Sequence, residues 1–173
     1  LLGNYGYHSQ MAIVIEQLSK EDKNDPIILL LKKRLESTKE KFVIQHLNIL
    51  NKVIAGPPSK DATVVNKKYI LYKFWFYKCY PCRQDFEQMA ANKTKLAQLD
   101  LSIICVQSDI DSMFMHGDAL LRKTGLSITN YHDKENRLTK LLEITKFPTS
   151  FLLNTWNQTI IRNPDLATIM QLQ

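Results

Sequence analysis

Residues 69–82 read YILYKFWFYKCYPC, and this stretch decides the fold. Its first nine residues, Tyr69 to Tyr77, are rich in aromatic and branched apolar side chains and contain one charged residue, Lys73. A strand that is apolar on both faces belongs in the middle of a sheet that helices cover on each side. The stretch therefore predicts a central β-strand that is followed almost at once by a Cys-x-x-Cys pair, Cys79 and Cys82.

The residues from about Pro81, inside the pair, to Leu99 predict a helix. The side chains available for its inner face are Phe86, Met89, Ala90 and Leu96. A helix that opens at the pair places free N–H groups and the positive end of its dipole at the first cysteine, and both favour a thiolate. We therefore expect Cys79 to be the nucleophile and Cys82 to be the resolving thiol. Pro81 suits the first helical turn, where its missing N–H would have no partner.

The rest of the chain after the pair alternates between strand and helix patterns. The predicted elements are a strand at Leu101–Val106, a helix at Asp111–Lys123, a short strand at Ser127–Tyr131, a short helix at Glu135–Ile144, strands at Thr149–Leu153 and Thr159–Ile161, and a helical turn near Pro164. A strand–helix–strand order predicts a parallel β-α-β unit, and two consecutive strands predict an antiparallel hairpin. The predicted fold class is therefore α/β with a mixed sheet flanked by helices.

The first 56 residues predict helices and carry no motif. Their apolar clusters are Met11, Ile13, Val14, Ile15 and Leu18; then Ile27 to Leu31 after Asp25-Pro26; then Phe42, Val43, Leu47, Ile49, Leu50 and Val53. The sequence AGPPS at residues 55–59 is a strong breaker of regular structure. We therefore expect a helical leader segment at residues 1–56 and a second domain at residues 57–173.

The composition narrows the class of protein. A chain of 173 residues with 45% hydrophobic and 23% charged residues is typical of a globular protein with one main core. The net charge of +6 is spread along the chain without a block of like charge, so we expect no nucleic-acid partner.

No stretch approaches the roughly 18–20 apolar residues of a membrane span. The chain begins at Leu1 without an initiator Met, so we expect a processed fragment whose signal or anchor lies outside it.

Three cysteines are too few for a disulfide scaffold and leave a structural zinc site short of ligands. A zinc site at the pair would need Cys105 and either His116 or His132, and we interpret the histidines as surface or loop residues. Cys105 stands in an apolar run and is interpreted as a core residue. We expect no metal site, and redox chemistry is favoured over zinc binding and over an inert structural disulfide.

Residues 73–82, KFWFYKCYPC, resemble the strand and active-site turn of thioredoxins, and most nearly those of the TlpA/ResA-like envelope thioredoxins. Residues 106–111, VQSDID, resemble the strand end and insertion helix of that branch. Residues 147–153, FPTSFLL, resemble the family's loop whose proline is cis and faces the cysteines. The resemblance covers residues 57–173 and implies a thioredoxin-like fold. It also implies a location in the bacterial periplasm or cell envelope. This location includes the case of a protein anchored to the membrane by a segment outside this sequence.

The same resemblance implies an activity and a set of site residues. The activity is reduction of disulfides in protein partners, with electrons from an upstream donor and no cofactor besides the redox-active Cys79–Cys82 disulfide. Six residues are expected to bind substrate or shape the site: Tyr80, Pro81, Trp75, Phe147, Pro148 and Thr149. Lys73 stands where thioredoxins keep a buried acid, and Lys78 stands where they usually have Trp. Both lysines are candidates for tuning the thiol pKa, with Lys73 either buried beneath the disulfide or extended to water.

Two other functions stay open at this point. The first is a partner-binding or chaperone-like domain that uses the fold with little redox turnover. The second is a thiol peroxidase, which typically places a Thr three residues before its reactive cysteine. Phe76 holds that position here and has no hydroxyl group. The net direction of electron flow and the oligomeric state are not predicted.

Overall fold

The computed structural model describes residues 12–17, 25–55 and 67–172. The chain divides into two compact units, Leu1–Leu47 and Asn48–Gln173. The breaker at residues 56–59 lies outside the described residues, as do Met11 and Leu18 of the first apolar cluster. The predicted boundary after residue 56 therefore stays a prediction.

Residues 12–17 form the helical segment α1, and Pro26–Ala55 forms the 30-residue helix α2. The carboxylate of Asp25 accepts the N–H groups of Ile27 at 2.7 Å and Ile28 at 3.2 Å, which caps α2 at its start. The helix start predicted at Asp25-Pro26 is thus confirmed. The second and third apolar clusters lie on this one continuous helix. Among the described residues, no helix combines the length and apolar character that a membrane crossing requires.

A five-stranded mixed sheet forms the centre of the second unit, in the order β3-β2-β1-β4-β5. The strands are β1 (Tyr69–Trp75), β2 (Leu101–Gln107), β3 (Ile128–His132), β4 (Thr149–Asn154) and β5 (Thr159–Arg162). The pairs β1–β2 and β2–β3 are parallel, while β1–β4 and β4–β5 are antiparallel. All residues of β1 after Tyr69 are buried. The predicted central strand, parallel unit and terminal hairpin are confirmed.

The helices of this unit are α3 (Tyr80–Ala91), α4 (Lys93–Gln98), α5 (Asp111–Lys123), a 3₁₀ turn (Lys134–Asn136), α6 (Arg137–Leu141) and α7 (Leu166–Met170). The single helix predicted from Pro81 to Leu99 is wrong, because the chain leaves the helical conformation at Asn92 (φ −110°, ψ 16°). The side-chain amide of Asn92 donates to the carbonyl of Gln88 at 2.9 Å, one turn earlier. The helix predicted at residues 135–144 is instead the 3₁₀ turn followed by α6.

One buried cluster joins the sheet to the cysteine pair. Its members are Leu71, Trp75, Cys79, Cys82, Phe86, Met89, Leu96, Ile103, Cys105, Leu121, Leu152 and Ile169. The cluster draws on β1, β2, β4, α3, α4, α5 and α7, so the helices on this face of the sheet share one core with both cysteines. The predicted core position of Cys105 is confirmed, since the residue is fully buried.

Candidate active site

Cys79 ends the turn after β1 and caps α3. Its backbone is extended (φ −71°, ψ 102°), and its N–H donates to the carbonyl of Phe76 at 3.0 Å. The N–H of Cys82, in the first turn of α3, donates to the Cys79 sulfur at 3.2 Å. Pro81 lies between the two cysteines and offers no N–H of its own. The sulfur of Cys79 therefore occupies the place of an N-cap acceptor, where partial positive charge favours an anion.

Cys79 and Cys82 are joined by a disulfide, with 5.3 Å between their Cα atoms. Cys82 is fully buried, whereas Cys79 keeps 4% of its surface exposed. The side chain between them at Tyr80 projects outward and is 67% exposed. Both cysteines are thus buried, and Cys79 is the more exposed of the two.

The loop before β4 lies beside the active-site turn. The Phe147–Pro148 peptide bond is cis, which confirms the prediction for this bond. The ring of Phe147 meets the ring of Phe76 edge-on, with 5.3 Å between centroids, and it packs against the buried cluster that contains both cysteines. Thr149 is buried, pairs with β1, and donates its hydroxyl to the carbonyl of Lys146 at 2.7 Å. These contacts fix the loop next to the segment that leads into Cys79.

Two further predicted site residues take different positions. Trp75 is fully buried and packs edge-on against Phe86 of α3, with 4.9 Å between ring centroids. It contributes to the floor under the disulfide, not to the exposed rim. Lys78, directly before Cys79, is exposed to solvent.

Lys73 lies on β1, and its side chain faces α3. The residue is 5% exposed, and its Nζ is 2.9 Å from Asp85 Oδ2 and 3.2 Å from the hydroxyl of Ser150. The interpretation in which Lys73 extends to water is therefore wrong. A cavity of about 190 Å³ adjoins the Lys73–Asp85 ion pair. Its lining includes Lys73, Asp85, Met89, Pro164, Asp165 and Ile169. Asp85 was missed at the sequence level, although an isolated buried ammonium signals the need for a carboxylate nearby.

Asp109 was also missed as a site residue, because the resemblance of residues 106–111 predicts only a strand end and an insertion helix there. Asp111 is the first residue of α5, but the carboxylate of Asp109 accepts the N–H of Tyr77 at 2.6 Å, two residues before Cys79. The prediction that His132 is a surface or loop residue is wrong. It lies in β3 with its side chain 13% exposed, and its Nε2 donates to the Asp109 carbonyl at 2.8 Å.

Residues 66–159 match a family model described as Thioredoxin-like. The chain belongs to the thioredoxin-like family. The predicted family is thus confirmed, and the two cysteines of the Cys-x-x-Cys motif, Cys79 and Cys82, are bonded to each other. No curated protein matches the chain.

Solved structures of other thioredoxin-like proteins share the fold. A candidate thioredoxin from Neisseria meningitidis is 19% identical, with a TM-score of 0.51 over 61% of this chain and 71% of that chain. A thiol-disulfide oxidoreductase from Bacteroides fragilis is 20% identical, with a TM-score of 0.50 over 64% of this chain and 82% of that chain. At these identities the likeness concerns the fold, and it agrees with the predicted thioredoxin-like sheet and helices.

Proposed function

We propose that the protein is a thiol–disulfide oxidoreductase that reduces disulfides in protein partners through Cys79 and Cys82. One observation carries the proposal: the disulfide sits at the start of α3, with an N–H group aimed at the sulfur of Cys79 and with Cys82 fully buried. The N–H group and the helix dipole favour the thiolate of Cys79, which is the reactive form of the thiol.

The reaction needs two exchange steps. In the reduced protein, the Cys79 thiolate attacks one sulfur of the partner's disulfide, forms a mixed disulfide, and releases the partner's other sulfur, which takes a proton. The Cys82 thiolate then attacks the Cys79 sulfur, forms the Cys79–Cys82 disulfide, and releases the second partner thiol. Two electrons have passed to the partner, so a dithiol donor must reduce the Cys79–Cys82 disulfide before the next turnover.

The reducing direction and the cellular location rest on resemblance. A Pro directly before the second cysteine, here Pro81, is typical of the reducing members of the family. The sequence around the pair is most similar to the TlpA/ResA-like branch, so we place the protein in the bacterial periplasm or cell envelope. The solved relative from Bacteroides fragilis described as a thiol-disulfide oxidoreductase is consistent with this chemistry. The division into a helical leader at residues 1–56 and a thioredoxin-like domain at residues 57–173 belongs to the same proposal.

Insulin reduction with dithiothreitol as electron donor tests the proposal. We expect the native chain to accelerate precipitation of the insulin B chain, and Cys79→Ser to abolish the acceleration. Cys105→Ala is the matched control, because it removes a buried thiol outside the motif and leaves the pair intact. A native chain that is no faster than Cys79→Ser would refute the proposal. Peroxide consumption or suppression of client aggregation by that inactive chain would then favour the thiol peroxidase or the chaperone-like function.

A further inference from the structure

A network of polar side chains at the carboxyl ends of β2 and β3 reaches the active-site turn. Gln107, the last residue of β2, is fully buried. Its Oε1 accepts from Asn130 Nδ2 of β3 at 2.8 Å, and its Nε2 donates to Asp109 Oδ2 at 2.8 Å. The same Asp109 oxygen accepts the N–H of Tyr77 at 2.6 Å. The carboxylate of Asp109 is thus the link between the second strand and the turn that leads into Cys79.

The turn after β1 is held at two backbone positions to residues 108 and 109, which form the loop after β2. Besides the Tyr77 bond, the N–H of Ser108 donates to the carbonyl of Trp75 at 2.9 Å. Phe76 lies between Trp75 and Tyr77, and its carbonyl accepts the N–H of Cys79. The position of Cys79 therefore depends on Phe76, and both neighbours of Phe76 in the chain are hydrogen-bonded to residues 108 and 109.

Helix α5 is shaped to accept the network. Gly117 is buried against the side chain of Gln107, and a Cβ atom at position 117 would lie 2.1 Å from Gln107 Nε2. That separation is far inside contact distance, so only glycine leaves room for the Gln107 amide here. The absence of a side chain at position 117 is an independent sign that the structure holds Gln107 in place, and Gln107 in turn holds Asp109.

We propose that Asp109 is a positioning residue for Cys79, acting through the Tyr77 N–H, and that its negative charge opposes formation of the Cys79 thiolate. The inference rests on the dithiol chemistry of the proposed function and adds a determinant outside the Cys-x-x-Cys motif. A carboxylate is a stronger acceptor for a backbone N–H than a neutral oxygen, which suits a bracing role. A fixed negative charge near a thiol raises the thiol's pKa, because it disfavours the thiolate.

Other titratable groups lie around this loop and have to be separated from Asp109. His132 contacts the Asp109 carbonyl, and its Nδ1 lies 3.5 Å from Asp111. Lys134 lies 3.9 Å from the same Asp111 oxygen. The ring of His116 lies against Tyr77, with 5.7 Å between centroids. On the side of the two cysteines, the charged neighbours are the exposed Lys78 and the Lys73–Asp85 ion pair.

The experiment compares Asp109→Asn, Asp109→Ala and Asp111→Asn with the native chain. Asn at position 109 keeps an acceptor oxygen for Tyr77 and removes the charge, whereas Ala removes both. Asp111→Asn is the matched control, since it deletes a charge two residues away whose side chain is 82% exposed and makes no bond to the turn. For the fully reduced proteins, the rate of Cys79 alkylation by iodoacetamide is followed over roughly pH 4–10, the range in which Cys-x-x-Cys thiols titrate. Equilibrium with glutathione gives the reduction potential.

In both Asp109 variants we expect the Cys79 alkylation midpoint to move to lower pH. The equilibrium should shift toward the reduced form by roughly tenfold, or about 30 mV. Insulin reduction should fall further in Asp109→Ala than in Asp109→Asn, because only Ala releases the turn. Asp111→Asn should follow the native chain in every measurement.

The inference is overturned if Asp109→Asn has the native alkylation profile and potential, or shifts no more than Asp111→Asn. Asp109→Asn decides the matter alone if Asp109→Ala does not fold. Alkylation and glutathione exchange require no protein partner, so both remain measurable even if insulin reduction fails and the proposed function is rejected.

Discussion

The ammonium of Lys73 and the carboxylate of Asp85 form a 2.9 Å ion pair between the central strand and the helix that opens at the disulfide. The side chain of Lys73 is 7% exposed and that of Asp85 is 38% exposed, so the lysine depends on this partner more than the aspartate does. Ser150 of β4 supplies the second contact to the ammonium. The ion pair therefore ties α3 to two strands of the sheet.

Asp85→Asn should lower the free energy of unfolding by about 2 kcal/mol, because it leaves a buried ammonium without a charged partner. Lys73→Met should cost less, since it keeps the apolar stem and leaves only a half-exposed carboxylate that water can solvate. Urea denaturation of both variants and of the double variant gives the coupling energy. Equal losses in the two single variants, or no coupling, would contradict this account.

The same two variants should move the pKa of Cys79 in opposite directions. Lys73→Met leaves a net negative charge on α3, the helix that opens at the disulfide, and should raise the pKa of Cys79, whereas Asp85→Asn leaves a net positive charge and should lower it. Iodoacetamide alkylation of the reduced protein as a function of pH measures both shifts. If neither variant moves the midpoint, Lys73 is a packing residue and its role as a candidate for tuning the thiol is wrong.

Stability should fall at alkaline pH because of two buried groups. Burial raises the pKa of the Cys105 thiol to about 12, with Lys73 acting in the opposite direction, and burial also raises the pKa of Tyr72. The unfolded chain ionises these groups at a lower pH than the folded chain does. Their contribution is therefore fully present below about pH 8 and is lost as the pH rises toward the folded value, by up to about 1.4 kcal/mol per pH unit and group.

Urea denaturation of the oxidised protein at about pH 8 and about pH 10.5 checks this expectation, since both pH values lie around the unfolded-state pKa of the thiol. Cys105→Ala should show a smaller loss between the two pH values than the native chain does. An identical loss in the two proteins would mean that Cys105 does not contribute to the alkaline transition.

Gly117→Ala tests whether α5 has to lack a side chain beside Gln107, and the sign of its effect on stability gives the answer. Helix propensity alone predicts that Ala stabilises a helix interior by about 1 kcal/mol over Gly. The contact with Gln107 predicts the opposite, a loss of about 1–3 kcal/mol, because the buried amide must move. Ser112→Ala, at an exposed position of the same helix, is the control and should change stability little. A more stable Gly117→Ala variant would show that Gln107 is free to move.

The features that could be predicted from the sequence are local ones. The nine-residue apolar run predicts the central strand, the pair directly after it predicts the helix start at Cys79, and Phe147-Pro148 predicts the cis bond through its resemblance to a known loop. The features that were missed join distant residues. The Tyr77–Asp109 bond spans 32 residues, and the Lys73–Asp85 pair spans 12. Both depend on strand register and on how helices pack against the sheet, which no local pattern encodes.

His132 shows the same limit from another side. A single histidine in a polar stretch has no periodicity that marks burial, so it was placed at the surface. Its position follows from the parallel pairing of β3 with β2, in which His132 lies opposite Gln107. That register brings the imidazole to the Asp109 loop and stacks it on Phe114, with 4.4 Å between ring centroids.

The central claim is that Cys79 attacks and Cys82 resolves, and trapping with a disulfide substrate tests it most directly. Cys82→Ser is mixed with insulin, quenched with acid, and digested, and the adduct is located by mass spectrometry; Cys79→Ser is treated in the same way. The account predicts a stable mixed disulfide on Cys79 in Cys82→Ser and no adduct in Cys79→Ser. An adduct on Cys82 in Cys79→Ser, with none on Cys79 in Cys82→Ser, would contradict the account.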